Sequence, residues 1–189
     1  YRSAHYVVFV NYERFFQGMM AKLQIHAGED VWFFSGYDCD SLALEPVTGF
    51  VRELLNWLRH QPRAQVELRT KSTQVRSLFE SAPLANVVIA YSLTPKLTAA
   101  AIEHKAPSVE KRLAALTELA QRGWKIGLRF DPVLYELHYQ ELYQRLFEDV
   151  FSQVPEASIH SVTLGPFRVP KPYFRNVTRL YPDEPLFAG

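Results

Sequence analysis

Two hydrophobic periods alternate along this chain. "PSVEKRLAALTELAQRGWKIGLRFDPV", residues 107 to 133, shows both. Ser108 is a good N-cap behind Pro107, and Glu110 places negative charge in the first turn. Val109, Leu113, Leu116 and Ala120 recur at helical spacing until Gly123 supplies a stop. Beyond it the period becomes two. Ile126, Leu128 and Phe130 share one face of a strand, with Lys125, Gly127, Arg129 and Asp131 on the other.

The same alternation predicts strands at 5–10, 30–36, 65–70, 86–93, 125–130 and 158–164. Helices are predicted near 11–24, 46–60, 73–80, 108–122, 137–151 and 170–180, with a short helical turn before 108. Strand-helix alternation of this kind argues for parallel strands joined by right-handed crossovers, hence an α/β barrel, a partial barrel or a doubly wound sheet. No interdomain linker is visible, so residues 1–189 read as a single domain.

Two strands narrow the choice. Glu67, Arg69 and Lys71 alternate with Val66, Leu68 and Thr70, and the strand from Lys125 carries Arg129 and Asp131 on one face. Central parallel strands are normally apolar on both faces. An ionisable face implies a polar or ligand-filled interior, as in a partial barrel with a wet lumen, because isolated buried charges are costly. Arg129 and Asp131 then sit at the carboxyl-terminal mouth, where such folds place their sites. The alternative is that Glu67, Arg69, Arg129 and Asp131 pair with one another as a structural network. Lys71 suits a ligand carboxylate or phosphate; a solvated loop lysine is the alternative.

Composition changes this picture little. Hydrophobic residues at 48% and charged residues at 22% exclude bulk disorder, and a formal net charge of +1 excludes a global polyelectrolyte. A local patch remains: between Ser158 and Tyr181 the only charged residues are Arg168, Lys171, Arg175 and Arg179. The single cysteine, Cys39, excludes an internal disulfide and an all-cysteine metal site built from this chain, and fits a cytoplasmic location. No apolar run reaches the length of a membrane span. His104, His138 and His160 lack ligand spacing, so no metal role is assigned to them. The start at Tyr1 rather than Met is read as that of a fragment.

Several stretches together resemble the spore photoproduct lyase branch of the radical S-adenosylmethionine enzymes: "YVVFVNYERF", "FSGYDCDSLALEPVTG", "ELRTKS", "VVIAYSLTP", "HKAPSVEKRLAAL", "RGWKIGLRFDPVLY" and "LGPFRVPK". They occur in that family's order over nearly the whole chain. The resemblance implies a partial (β/α)6 barrel of TIM type, with S-adenosylmethionine across the strand ends. It also implies a CxxxCxxC loop holding a 4Fe-4S cluster. Neither that loop nor the first barrel strand is in this sequence, and both are expected to precede Tyr1. A core fragment and a relative that has lost the cluster are the two explanations.

The resemblance implies roles residue by residue. Lys71 matches a lysine that meets the cofactor's carboxylate, and Ser92 a serine that bonds its amino-acid portion. Asp40 matches an aspartate of the second-strand contact, but Cys39 stands where the family has serine. Arg129 and Asp131 would line the pocket near ribose or substrate. The hydrogen-donating cysteine of the DNA-repairing lyases is replaced by Tyr37, with Cys39 as the other candidate donor.

The implied reaction is reductive cleavage of S-adenosylmethionine by the cluster to give a 5′-deoxyadenosyl radical, which abstracts hydrogen from substrate. A flavodoxin or ferredoxin would donate the electron, and the substrate would be a thymine photolesion in DNA. Arg168, Lys171 and Arg175 would hold phosphates, with Tyr173 and Phe167 stacking nearby; a solvated basic helix is the bland alternative. The main rival is a cluster-less barrel that binds nucleotides or nucleic acid as a scaffold. An ordinary enzyme of phosphorylated metabolites is a third reading, but "TLGPFR" supplies only Gly165 toward a phosphate loop.

Overall fold

The computed structural model describes residues 7–36 and 39–183. Its elements follow in order: α1 (Tyr12–Ile25), β1 (Val31–Ser35), α2 (Glu45–Thr48), α3 (Phe50–Leu58), β2 (Ala64–Thr70), α4 (Arg76–Phe79), β3 (Val87–Ser92), α5 (Lys96–Ile102), α6 (Val109–Gln121), β4 (Lys125–Val133), α7 (Tyr139–Gln153), β5 (Ile159–Pro166) and α8 (Lys171–Leu180). The five strands form one sheet in sequential order, and every pairing is parallel.

Local chemistry sets the element ends. Ser108 caps α6 by accepting the Lys111 N–H at 3.4 Å, and Gly123 leaves the helix with φ +93°. The single helix expected at 46–60 is two, because Gly49 adopts φ +60° between α2 and α3. The strand expected at 5–10 is corrected as far as it is described. Residues 5 and 6 lie outside the described residues, while 7–10 are irregular and exposed. β-propensity alone does not make a strand without a neighbour to complete its hydrogen bonds.

Register assigns the two sheet faces. Val66, Leu68, Ile89, Tyr91, Ile126, Leu128 and Phe130 are buried on the convex face, in one core with Leu54, Leu55, Leu58, Leu113, Leu116, Leu146 and Val150 of the helices. The concave face carries Phe34 opposite Glu67, Ala90 opposite Gly127, and Ser92 opposite Arg129. The sheet curls strongly toward this side. Trp32 of β1 and His160 of β5 stand on opposite edge strands, yet their ring centroids are 5.5 Å apart. Four strand spacings in a flat sheet would separate them by roughly 19 Å. The chain is therefore a curled α/β half-barrel of TIM type, and its carboxyl-terminal strand ends face one mouth. Among the described residues, no helix is long and apolar enough to cross a membrane.

Candidate functional site

The concave face carries two layers of charge. In the lower one, Arg129 donates from Nε to Glu67 Oε1 at 3.2 Å and from Nη2 to Glu67 Oε2 at 2.6 Å, and also reaches the Ser161 hydroxyl at 2.9 Å. Arg69 shares Glu67 Oε1 at 3.2 Å. Arg129 is 3% exposed and Glu67 4%. Burial by itself would push the Glu67 carboxyl up, but hydrogen bonding and positive charge from Arg129, joined by Arg69, outweigh it and hold the group below the ordinary range. Gly127 makes the space: a Cβ there would sit 2.7 Å from the Arg129 guanidinium.

Glu67 and Arg129 neutralise one another, as the ion-pair alternative held for them, and the half-buried Arg69 leaves this layer one positive charge. The inference of a hydrated lumen from Glu67 and Arg129 is therefore corrected at this level, and Arg129 is committed to Glu67 rather than to open space. Asp131 lies outside the pair. It is exposed at the end of β4, its carboxylate against Gly165, where an added Cβ would be 3.2 Å away.

The upper layer is built from loops at the strand ends. Lys71 follows β2, and its Nζ donates to Glu103 Oε1 at 2.8 Å; Thr94 Oγ1 donates to the same oxygen at 2.9 Å. Glu103 Oε2 is held by the guanidinium of Arg112, which is 1% exposed and also donates to the carbonyls of Pro107 at 2.8 Å and Ser92 at 3.3 Å. Burial opposes ionisation of Glu103 here too, but the bond and charge of Lys71, with Arg112, keep its carboxyl below the ordinary range. Two cations and one carboxylate leave this cluster one positive charge. Only Lys71, 39% exposed, presents that charge outward, into a cleft of about 600 Å³ lined also by Thr94, Glu103, His104 and Pro132.

Asp40 stitches the β1 loop to β2. Its Oδ1 accepts from the N–H groups of Leu42 and Ala43, both at 2.9 Å, and from Thr70 Oγ1 at 2.7 Å; its Oδ2 accepts the Lys71 N–H at 2.7 Å. Gly36, with φ +86°, lets the loop lie on β2, since a Cβ there would be 2.6 Å from the Arg69 carbonyl. Cys39 is exposed on this loop, and Tyr37 lies outside the described residues. Ser92 is half-buried at the end of β3, directly beneath Arg112.

The basic residues gather on the far side of the mouth. Arg168 precedes α8, and Lys171, Tyr173 and Arg175 lie on it, all exposed. A groove runs along Phe167, Arg168, Val169, Lys171, Phe174 and Arg175. The structure thus joins Lys71, Ser92 and Asp40 at three adjacent strand ends, separates Arg129 into the layer below, and puts the basic group on α8. Sequence reasoning missed Glu103, Arg112, Thr94 and Thr70. A signal existed for Arg112: three residues after Val109 and four before Leu116, it falls on the buried stripe of α6.

Fold and strand-end chemistry define a half-barrel of TIM type with a cationic mouth. The spore photoproduct lyase family matches residues 2–186 of the chain, which belongs to that family. The spore photoproduct lyase of Bacillus subtilis (strain 168) is 21% identical over 180 residues, 94% of this chain and 53% of that protein. A solved spore photoproduct lyase mutant with bound AdoMet and dinucleoside spore photoproduct superposes with a TM-score of 0.85 at 20% identity, over 96% of this chain and 54% of that one. A mutant with the dinucleoside spore photoproduct gives 0.86 at the same identity and coverage. The chain spans about half the length of these relatives.

Proposed function

We propose that this chain is the cofactor- and substrate-binding half-barrel of a radical S-adenosylmethionine enzyme of the spore photoproduct lyase type, acting on a thymine photolesion in DNA. The observation that carries the reading is Lys71, in a chain of this family: a half-exposed ammonium at the strand ends, carrying its cluster's excess positive charge into a cleft. An α-carboxylate is the group such a site recognises, through a charge-assisted hydrogen bond. Ser92 and Thr94 lie on the adjoining strand end, so the residues fit the amino-acid end of S-adenosylmethionine.

An iron-sulfur cluster does not fit this chain's own residues. The sequence has one cysteine, and among the described residues no three His, Cys, Asp or Glu side chains converge as metal ligands. Its ligands would have to come from outside these 189 residues, and an electron donor such as a ferredoxin or flavodoxin would act there. Bound S-adenosylmethionine supplies the one-electron chemistry that removes hydrogen from substrate. This chain's residues orient it and limit access of water. The single cysteine also favours a second reading, a cluster-less nucleotide-binding relative; anaerobic iron-sulfur reconstitution of the intact protein separates the two.

Titration calorimetry with S-adenosylmethionine tests the binding site. Lys71→Ala should weaken affinity on the order of 10-fold, the value of one hydrogen bond to a charged group, while leaving the thermal transition unchanged. Equal affinity in both proteins would remove Lys71 from the site, and no binding to the wild type would remove the cofactor assignment.

A further inference from the structure

The segment between β4 and α7 holds its side chains in alternation. Leu134 is buried, and its N–H donates to the Tyr143 hydroxyl at 3.0 Å. Glu136 is tied to the Thr98 hydroxyl of α5, and its carbonyl accepts the Tyr139 N–H at 3.1 Å. Between and beyond these anchors Tyr135 is 89% exposed and Leu137 83%. His138 then turns the chain into α7 with φ +59°. Single exposed apolar residues are ordinary. Here, however, two of them are held outward by a segment pinned on both sides, with the Tyr139 ring 5.0 Å behind Tyr135.

Their surroundings identify a partner. Tyr135 and Glu136 line a cleft with Pro166 and Phe167, and Phe167 also lines the groove that carries Arg168, Lys171 and Arg175. Lys171, Arg175 and Arg179 recur every four residues on α8, so they form one stripe with charges roughly 6 Å apart. The segment's own carboxylates are turned to other groups, Glu136 to Thr98 and Glu141 to His138 at 3.7 Å. An apolar projection therefore stands beside a positive stripe at the barrel mouth. That combination complements a polyanion with an apolar stacked interior.

We propose that Tyr135 and Leu137 form a wedge that enters the base stack of duplex DNA while the α8 stripe holds the phosphates. The proposal rests on the DNA reading above and adds the device that opens the duplex. Apolar side chains inserted between base steps unstack them and bend the helix, and a base turned out for reaction leaves a gap that such side chains fill.

A duplex carrying 2-aminopurine beside a mismatch tests this, because its emission rises when the base unstacks. The wild type should raise emission on binding. Tyr135→Ser with Leu137→Ser should lose most of that rise, yet bind within about 3-fold and with the same salt slope, since no phosphate contact is removed. Arg168→Ala with Lys171→Ala should do the reverse: weaker binding and a shallower slope, with the rise retained at saturation. Full emission from the Tyr135/Leu137 variant would overturn the wedge and leave DNA binding intact. Failure of the wild type to bind duplex at low salt would overturn the DNA reading, and the wedge with it.

Discussion

The lower and upper charge clusters have the same composition and opposite construction. Each holds one buried carboxylate between a buried arginine and a more exposed cation: Glu67 between Arg129 and Arg69, and Glu103 between Arg112 and Lys71. The lower one joins side chains of β2 and β4 across the sheet, with Gly127 cleared for the guanidinium. The upper one joins a strand end, the end of α5 and the first turn of α6. A cluster within the sheet fixes the barrel's interior. One assembled from loops sets the charge displayed at the mouth, and the two should respond differently to mutation.

The largest effect is expected at Glu67. Glu67→Ala strands the Arg129 charge in the interior and should cost about 3–5 kcal/mol in urea unfolding, whereas Glu67→Met with Arg129→Met should recover most of it. An equal loss in single and double variants would end the view that charge pairing, rather than shape, matters there. Glu103→Ala should cost less, about 2–3 kcal/mol: Arg112 keeps the carbonyls of Pro107 and Ser92 just as Arg129 keeps those of Leu128 and Ser161, but its cluster is built from loops at the open mouth, which can relax toward water. A loss as large as that at Glu67 would erase the distinction between the layers.

Acid provides a milder comparison. Both carboxyls sit below their ordinary value of 4.5 in the folded protein, so the unfolded chain takes up protons first. The stability they contribute is complete above that value and is lost as pH falls through their depressed values. Their part of the unfolding profile should be flat from neutrality to about pH 5 and fall below it, beneath a shallow slope near about pH 6 from His160, which burial and the nearby Lys125 and Arg129 charges hold below its ordinary value. A steep decline that is complete above about pH 5 and survives His160→Gln would show that the two carboxyls do not set the acid limit. Smallest of all, Arg69→Ala and Lys71→Ala should each change stability by less than about 1 kcal/mol, as their ion pairs are partly solvated.

The same contrast explains what could be read from the residues alone. Five of six expected strands lie close to their predicted places, because two-residue alternation reports a sheet face directly. Arg129 and Glu67 were legible as inward-facing, but their mutual pairing depends on which strand lies two positions away, which alternation does not encode. Lys71 was legible as a strand-end cation; Glu103 was not, since it sits in "AIEHKAP" with no periodic neighbour to mark it. The break at Gly49 had a visible signal in its glycine. Residues 7–10 read as strand because β-branched and aromatic residues favour that state, whereas in the structure no described strand pairs with them.

Gly127 has a consequence for how this barrel can diverge. The guanidinium occupies the volume where another side chain would begin, so enlarging position 127 displaces Arg129 from its place on Glu67. A change at one position is thereby felt at the other, and the two sites are expected to drift together, coupled through a single missing methyl group.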